Sequence, residues 1–334
     1  MRRLPLWLAC SVALVAAAPA AGGPSPGGTI VSALAGPPKA SFFARIRAGE
    51  MGGVILVGRW RASELVSTTR RLHAAGCSAG RPLLVAVDQE GGFARRLTWA
   101  NPVHTASQLG RLGAPRVRIE AAAAAHALRT AGIDVDLAPV TDTLVPGGFL
   151  GARSFGTRPD LVGRLAAAFV RALQRGRVAA TAKHFPGLGA ARVSTDDHRV
   201  SLETTALAPF DRAIAAGVKL VMVSNASYPA LDAAGTPAVF SRPIVTGLLR
   251  GGLGFRGLVV SDALDAPTPA RTPHAAARAL SAGVDLLLYT SGRAAHAGYI
   301  ELRRDARASP LLRARLANAV ARLRALEAWL GRAC

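Results

Sequence analysis

Lys183 and His184 stand side by side at the end of an apolar run, Val178-Ala179-Ala180-Thr181-Ala182, and a sharp Phe185-Pro186-Gly187 turn follows them. The chain has 41 basic residues but only three lysines, Lys39, Lys183 and Lys219. Arginine is its default cation, and a compact ammonium differs from a guanidinium in shape and hydrogen-bonding reach. Other reactive groups follow apolar runs in the same way: Asp88 in Asp88-Gln89-Glu90-Gly91-Gly92, then Asp142, Asn225, and Asp262 in Val259-Val260-Ser261-Asp262. Arg96 and Arg153 lie in the segments after Asp88 and Asp142, and the Gly-punctuated loop behind His184 ends in Asp196-Asp197-His198. Any one of these has a bland reading, because Asp after a strand commonly caps the next helix. Five strand ends carrying charged or amide groups are harder to dismiss. No His-Glu-x-x-His, Cys/His ligand set or Gly-x-Ser-x-Gly is present, which demotes zinc hydrolysis and serine-esterase chemistry. Donors and carboxylates around one pocket suit a ligand with many hydroxyls. A lone Asp after an apolar strand, as at Asp262, can be a nucleophile toward an anomeric carbon.

These groups converge only if the elements between them alternate regularly. They do. Short apolar runs at Thr29–Leu34, Gly53–Val57, Leu83–Val87, Val135–Leu137, Val178–Ala182, Leu220–Val223, Leu258–Val260 and Val284–Leu288 read as strands. Helical stretches lie between them, such as Ser63–Ala75, Arg116–Ala131, Leu161–Arg175, Leu207–Ala216, Arg242–Arg250 and His274–Ala282, and a last helix spans about 311–329. Continuous apolar runs are expected of parallel strands buried on both faces. Eight βα alternations with no second zone of composition predict a single-domain (β/α)8 barrel, whose strand C-termini carry the chemistry. A doubly wound sheet is the alternative, but no Gly-rich dinucleotide fingerprint follows any strand.

Half of the 334 residues are apolar, enough for a large core, and the net charge is +21. Aromatic residues are only 5% and no basic run is interleaved with them, so the charge reads as scattered surface arginine rather than a nucleic-acid footprint. Residues 1–21 read as a signal peptide, with basic Arg2-Arg3, an apolar stretch from Leu4 to Ala18 and a small-residue site at Ala18-Pro19-Ala20. That stretch is short for a membrane span. An exported protein, secreted or in the cell envelope, occupying residues 22–334 is the expectation. Cys77 and Cys334 then remain, free to pair in an oxidising compartment, and their spacing suggests no metal.

Five motifs occur in a telling order: Val-Asp-Gln-Glu-Gly-Gly from Val87 onward to Arg96-Leu97, Gly151 to Gly156, Ala182 to Gly189 with its Lys-His-Phe-Pro-Gly core, Tyr228 to Asp232, and Val260 to Leu264. Over roughly residues 29–290 the chain resembles glycoside hydrolase family 3, in its single-barrel β-N-acetylhexosaminidase branch. The resemblance implies retaining hydrolysis of β-linked sugars, N-acetylglucosamine being the usual unit, with no cofactor or metal. Asp262 matches the family nucleophile. Asp88, Arg96, Arg153, Lys183 and His184 match residues that grip the sugar hydroxyls.

The chain departs from that pattern at Phe93, where the family usually has Arg, at Leu188, where it has His, and at Asn225, where His is frequent. The larger departure lies on the loop after the Lys-His-Phe-Pro-Gly motif, where this branch carries an Asp-Ser-His acid/base pair. Counted without gaps, its Asp and His fall on Ser194 and Asp196; a two-residue insertion instead aligns Asp196-Asp197-His198. The expectation adopted is His198 as acid/base, oriented by Asp196, with Asp196 acting alone as the rival. Two further readings stay open: a β-glucosidase-type enzyme on the same barrel, and a catalytically weak carbohydrate-binding homologue.

Overall fold

Successive residues of each apolar run face two different buried environments, and that favours parallel pairing within a covered sheet. The computed structural model describes residues 25–334, so the expected signal peptide lies outside the described residues. Its strands are β1 (Ile30–Ala35), β2 (Gly53–Val57), β3 (Leu84–Val87), a small hairpin of β4 (Gln89–Gly91) and β5 (Ala94–Arg95), then β6 (Val135–Asp136), β7 (Ala179–Phe185), β8 (Leu220–Val223), β9 (Leu258–Ser261) and β10 (Leu287–Tyr289). Eight of them form one parallel sheet in the order β10-β1-β2-β3-β6-β7-β8-β9. A parallel bridge from Val260 to Leu286 closes the ring. This is the expected single-domain (β/α)8 barrel.

Val31, Ile55, Leu84, Val135, Ala179, Leu220 and Leu258 point into the barrel and pack on one another. Their neighbours Ile30, Val54, Val85, Ala180, Val221 and Val259 point outward under the helices. The helices are α1 (Ala40–Arg47), α2 (Ala62–Ser78), α3 (Ala106–Thr130), α4 (Pro159–Arg175), α5 (Ala208–Ala215), a π-helical turn (Pro243–Gly252), α6 (Pro267–Ala270), α7 (Ala275–Ala282), α8 (Gly292–Ala308) and α9 (Pro310–Leu330). No helix of the described residues is long and apolar enough to cross a membrane.

Helix α9 has a second task. Its Leu323, Leu326 and Leu330 join the inner cluster of the barrel rather than the outer one, so α9 plugs the end where the strands begin. Two aspartates tie this end of the chain down: Arg332 Nε lies 2.6 Å from Asp134 Oδ1, and Arg322 Nη1 lies 2.8 Å from Asp285 Oδ1.

Three differences from the sequence reading matter for the site. Strand β7 does not stop at Ala182 but continues through Lys183, His184 and Phe185, with an irregular register against β8. A charged side chain is tolerated in the strand because carboxylates meet it. Helix α3 begins at Ala106 instead of Arg116, capped by Thr105 and Gln108, and breaks at Gly113 (φ 79°) just before Pro115. The β4–β5 hairpin was not foreseen, since strands of three and two residues are too short to carry a period.

Cys77, at the end of α2, is disulfide-bonded to Cys334, with Cα atoms 5.1 Å apart and a sequence separation of 257. A link across so long a loop removes much entropy from the unfolded chain. Cys77→Ser should therefore lower unfolding stability by about 2–4 kcal/mol, measured in urea without reductant. A variant as stable as the wild type would show that the link closes a segment already held by packing.

Candidate active site

The top layer of the barrel interior is apolar. Ile55, Leu137, Met222 and Leu288 form the floor of a cavity of about 350 Å³ at the C-terminal ends of the strands. Its walls are polar, and each polar group arrives on a different element. Asp88 follows β3; Glu90 and Arg96 come from the β4–β5 hairpin and the residue after it; Arg153 comes from the segment after β6; Lys183 and His184 come from β7; Asp262 follows β9; Ser194, Thr195 and Asp196 come from the loop beyond β7. Phe93, at the hairpin turn, stands at the rim and is 73% exposed.

One ionic network organises the wall. Lys183, 2% exposed, places Nζ 2.7 Å from Asp88 Oδ1 and 2.7 Å from Glu90 Oε1. Arg153 donates to the same Glu90 through both arms, Nε to Oε2 at 2.7 Å and Nη2 to Oε1 at 2.8 Å. Two cations thus meet two carboxylates. Burial alone would raise the Glu90 carboxyl, but Lys183 and then Arg153 outweigh it and hold it down at about 2. The converse holds for Lys183: burial disfavours its charge, and Asp88 and Glu90 more than restore it, above the usual lysine range.

Glu90 is the residue that reading by motif passed over. Its signal was present, because Asp88 and Glu90 are two apart in extended chain and side chains alternate with period two. Gln89 between them turns away and ties the hairpin to the following turn, donating Nε2 to the carbonyls of Leu97 (3.0 Å) and Asn101 (2.9 Å).

A second anchor is Asp142, fully buried after β6. Its Oδ2 accepts from the His184 backbone N–H (3.0 Å) and from Nδ1 (2.8 Å), and its Oδ1 accepts from the Leu188 N–H (2.6 Å). A carboxylate in that position can only accept, so Nδ1 carries a proton and Nε2 is left for the cavity. The Lys183–His184 and Phe185–Pro186 peptide bonds are cis.

The loop after β7 is laid across the segment 143–150. A Cβ at Gly189 would overlap the Thr143 carbonyl oxygen, so only glycine permits that approach. Val145 N–H then donates to the Gly189 carbonyl (3.0 Å) and Phe149 N–H to that of Ala191 (2.8 Å). Beyond it, the Ser194 hydroxyl accepts from the Asp196 N–H at 3.0 Å and shapes a turn. This turn brings Ser194 and Asp196 to the cavity. His198 is exposed and not part of the cavity lining, and among the described residues no hydrogen bond joins it to Asp196. Asp196 is exposed as a residue, yet its carboxyl is set into the cavity wall, where burial and then the Asp262 carboxylate push it above its ordinary value. Asp262 itself is half-buried, with Oδ1 accepting from the Ala263 N–H at 2.8 Å.

The profile of the glycosyl hydrolase family 3 N terminal domain matches residues 31–326, nearly the whole of the barrel. The chain belongs to glycosyl hydrolase family 3. It is 34% identical over 282 residues to an uncharacterized secreted glycosyl hydrolase of Arthroderma benhamiae, covering 78% of this chain and 79% of that one. A β-hexosaminidase of Tolumonas auensis is 36% identical over 271 residues, 75% of this chain and 78% of the relative. Among solved structures, the β-N-acetylhexosaminidase of Beutenbergia cavernae is similar with a TM-score of 0.82 and 31% identity, over 92% of this chain and 97% of that one. As a family 3 protein the chain is an O-glycosyl hydrolase, and its polar cavity lies where a barrel of this kind carries its chemistry.

In this family 3 cavity Glu90 is the carboxylate on which Lys183 and Arg153 both depend. Glu90→Gln leaves the buried Lys183 with one carboxylate fewer and the half-buried Arg153 without its ion-pair partner, and should cost about 3–5 kcal/mol near neutrality. Because the folded-state value lies below the ordinary 4.5, the ionised carboxylate supports the fold above about pH 4.5 and that support fades as pH falls toward 2. The wild-type advantage over Glu90→Gln, read by urea unfolding, should shrink by about 2 kcal/mol between pH 6 and pH 3. A gap independent of pH would mean that Glu90 is not ionised in the fold.

Proposed function

We propose that the protein removes terminal β-linked N-acetylhexosamine units from glycans, with retention of configuration. The reading draws on the β-hexosaminidase relatives and on one observation in particular: Asp262 and Asp196, two carboxyl groups in different electrostatic settings, share a small polar cavity. A volume of about 350 Å³ lies at the low end for ligand pockets, roughly 300–1,000 Å³, and suits a single sugar unit better than a run of polymer.

Each group then has a task. Lys183, Arg153, Asp88, Arg96 and His184 hold the sugar through its hydroxyls. The Asp262 carboxylate attacks the anomeric carbon and forms an ester with the sugar. As that bond forms, the bond to the leaving oxygen breaks, and Asp196, whose carboxyl burial and Asp262 push toward the protonated form, gives this oxygen its proton. Asp196, now a carboxylate, takes a proton from water; the water attacks the same carbon and frees Asp262. Two inversions give retention. Asp196 occupies the position of the family's His in the ungapped alignment, and it takes precedence here over His198, which is exposed and does not line the cavity.

A second reading, a sugar-binding homologue with little turnover, is favoured by that placement of His198. Export is proposed as well, supported by the signal-like residues 1–21, by the Cys77–Cys334 disulfide, which belongs in oxidising compartments, and by the secreted relative.

The sugar itself is tested with aryl β-N-acetylglucosaminide against aryl β-glucoside: higher kcat/KM on the first is expected, and the reverse would point to a β-glucosidase. Asp262→Asn should keep the fold and reduce turnover by roughly three to five orders of magnitude, and a 2-fluoro glycoside should label the wild type at Asp262. Label on another residue, or near-normal turnover, would remove Asp262 from this role. Asp196→Ala should slow substrates with poor leaving groups by about 10²–10⁴-fold and good ones far less, with azide restoring part of the loss, while His198→Ala stays close to wild type. The opposite pattern would return the role to His198, and no turnover on any sugar despite binding would favour the second reading.

A further inference from the structure

At the other end of the barrel, away from Asp262, a cavity of about 340 Å³ opens between the π-helical turn, the loops leading into β9 and β10, and α9. Arg250, Arg256, Arg315 and Arg322 line it, together with Thr246 and Asn318. Their convergence follows from spacing. Arg315, Asn318 and Arg322 lie three and four apart on α9 and so share one face, and Thr246 and Arg250 lie four apart on the turn.

A single carboxylate in the lining answers the four guanidinium groups. Asp285 Oδ2 lies 2.6 Å from Arg250 Nη2 and its Oδ1 lies 2.8 Å from Arg322 Nη1. Oδ2 is further occupied by the Val259 N–H at 2.8 Å. Among the described residues Arg256 and Arg315 form no ion pair. Four cations against one anion leave a local excess of three positive charges. The crowding is felt at Arg250: burial pushes its guanidinium below the usual range, Asp285 opposes this, and Arg322 and Arg256 add to it. Complementing a helix dipole does not explain the arrangement, because Arg315 and Asn318 sit well inside α9 rather than in its last turn.

We propose that this cavity binds a phosphate-type oxyanion, either free in solution or carried on a lipid headgroup. Guanidinium forks match such an oxyanion in a bidentate manner. The amide of Asn318 supplies a neutral donor, and Arg250 is fixed in place by the carbonyls of Gly283 (3.1 Å) and Gly257 (3.2 Å). The site is preformed on its inner wall and open on its outer one, where Arg256 is exposed.

The test uses the whole protein, the double variant Arg256→Ala/Arg315→Ala, and a control of equal charge, Arg70→Ala/Arg111→Ala, taken from exposed arginines elsewhere. Inorganic phosphate is titrated by calorimetry at low ionic strength, and sedimentation is measured with vesicles of phosphatidylglycerol and of phosphatidylcholine. The first variant should bind at least tenfold more weakly, with the control within twofold of wild type. Loss on calorimetry with no vesicle binding assigns a free anion; loss of phosphatidylglycerol sedimentation assigns a headgroup. If neither probe binds the wild type, or if both variants lose binding equally, the site is not there. Arg256 and Arg315 form no ion pair, so thermal unfolding of the variant should match wild type and exclude misfolding as the cause.

Discussion

A buried ammonium must be met by carboxylates, and at the mouth of this barrel that requirement draws separate elements together. Lys183 sits inside β7 with almost no contact with water. Its charge survives because Asp88 just after β3 and Glu90 on the hairpin lie against it, and Glu90 in turn fixes Arg153. Remove any member and another is left charged in a low-dielectric wall, where the penalty is several kcal/mol. The network therefore specifies the relative positions of β3, the hairpin, the segment after β6, and β7. It also presents several fixed donors and acceptors to one side of a small cavity, as a ligand rich in hydroxyls requires.

Asp142 extends the same logic to the loop. By accepting three N–H groups from His184 and Leu188 it secures both the imidazole and the start of the chain that crosses the cavity. The close contact at Gly189 then sets the direction of that chain, and the Ser194 turn decides which of its side chains looks inward. Asp196 does, at the expense of His198. Burial and the neighbouring Asp262 both favour its protonated form.

The two ends of the barrel are built from opposite balances. At the C-terminal mouth cations and anions are matched. At the other end α9 closes the core with leucines, and the arginines that flank this plug outnumber their partners Asp134 and Asp285. The net charge of +21 is thus not spread evenly, and part of it is concentrated around a cavity.

The sequence by itself determined the barrel, because eight apolar runs separated by amphipathic stretches have few ways to bury both faces of every strand. It also singled out Lys183, as a rare lysine beside an imidazole, and the Asp262 strand end. Lys183 was nevertheless placed just past its strand, because a charge inside β7 is plausible only once Asp88 and Glu90 are known to meet it. The hairpin escaped notice, being too short for periodicity, and Glu90 with it. Which of Asp196 and His198 lines the cavity was beyond local reasoning, since both lie on one turn and differ only in facing. That facing is set by contacts between residues far apart in sequence, Gly189 on Thr143 and Leu188 on Asp142, and such contacts exist only when the chain has folded.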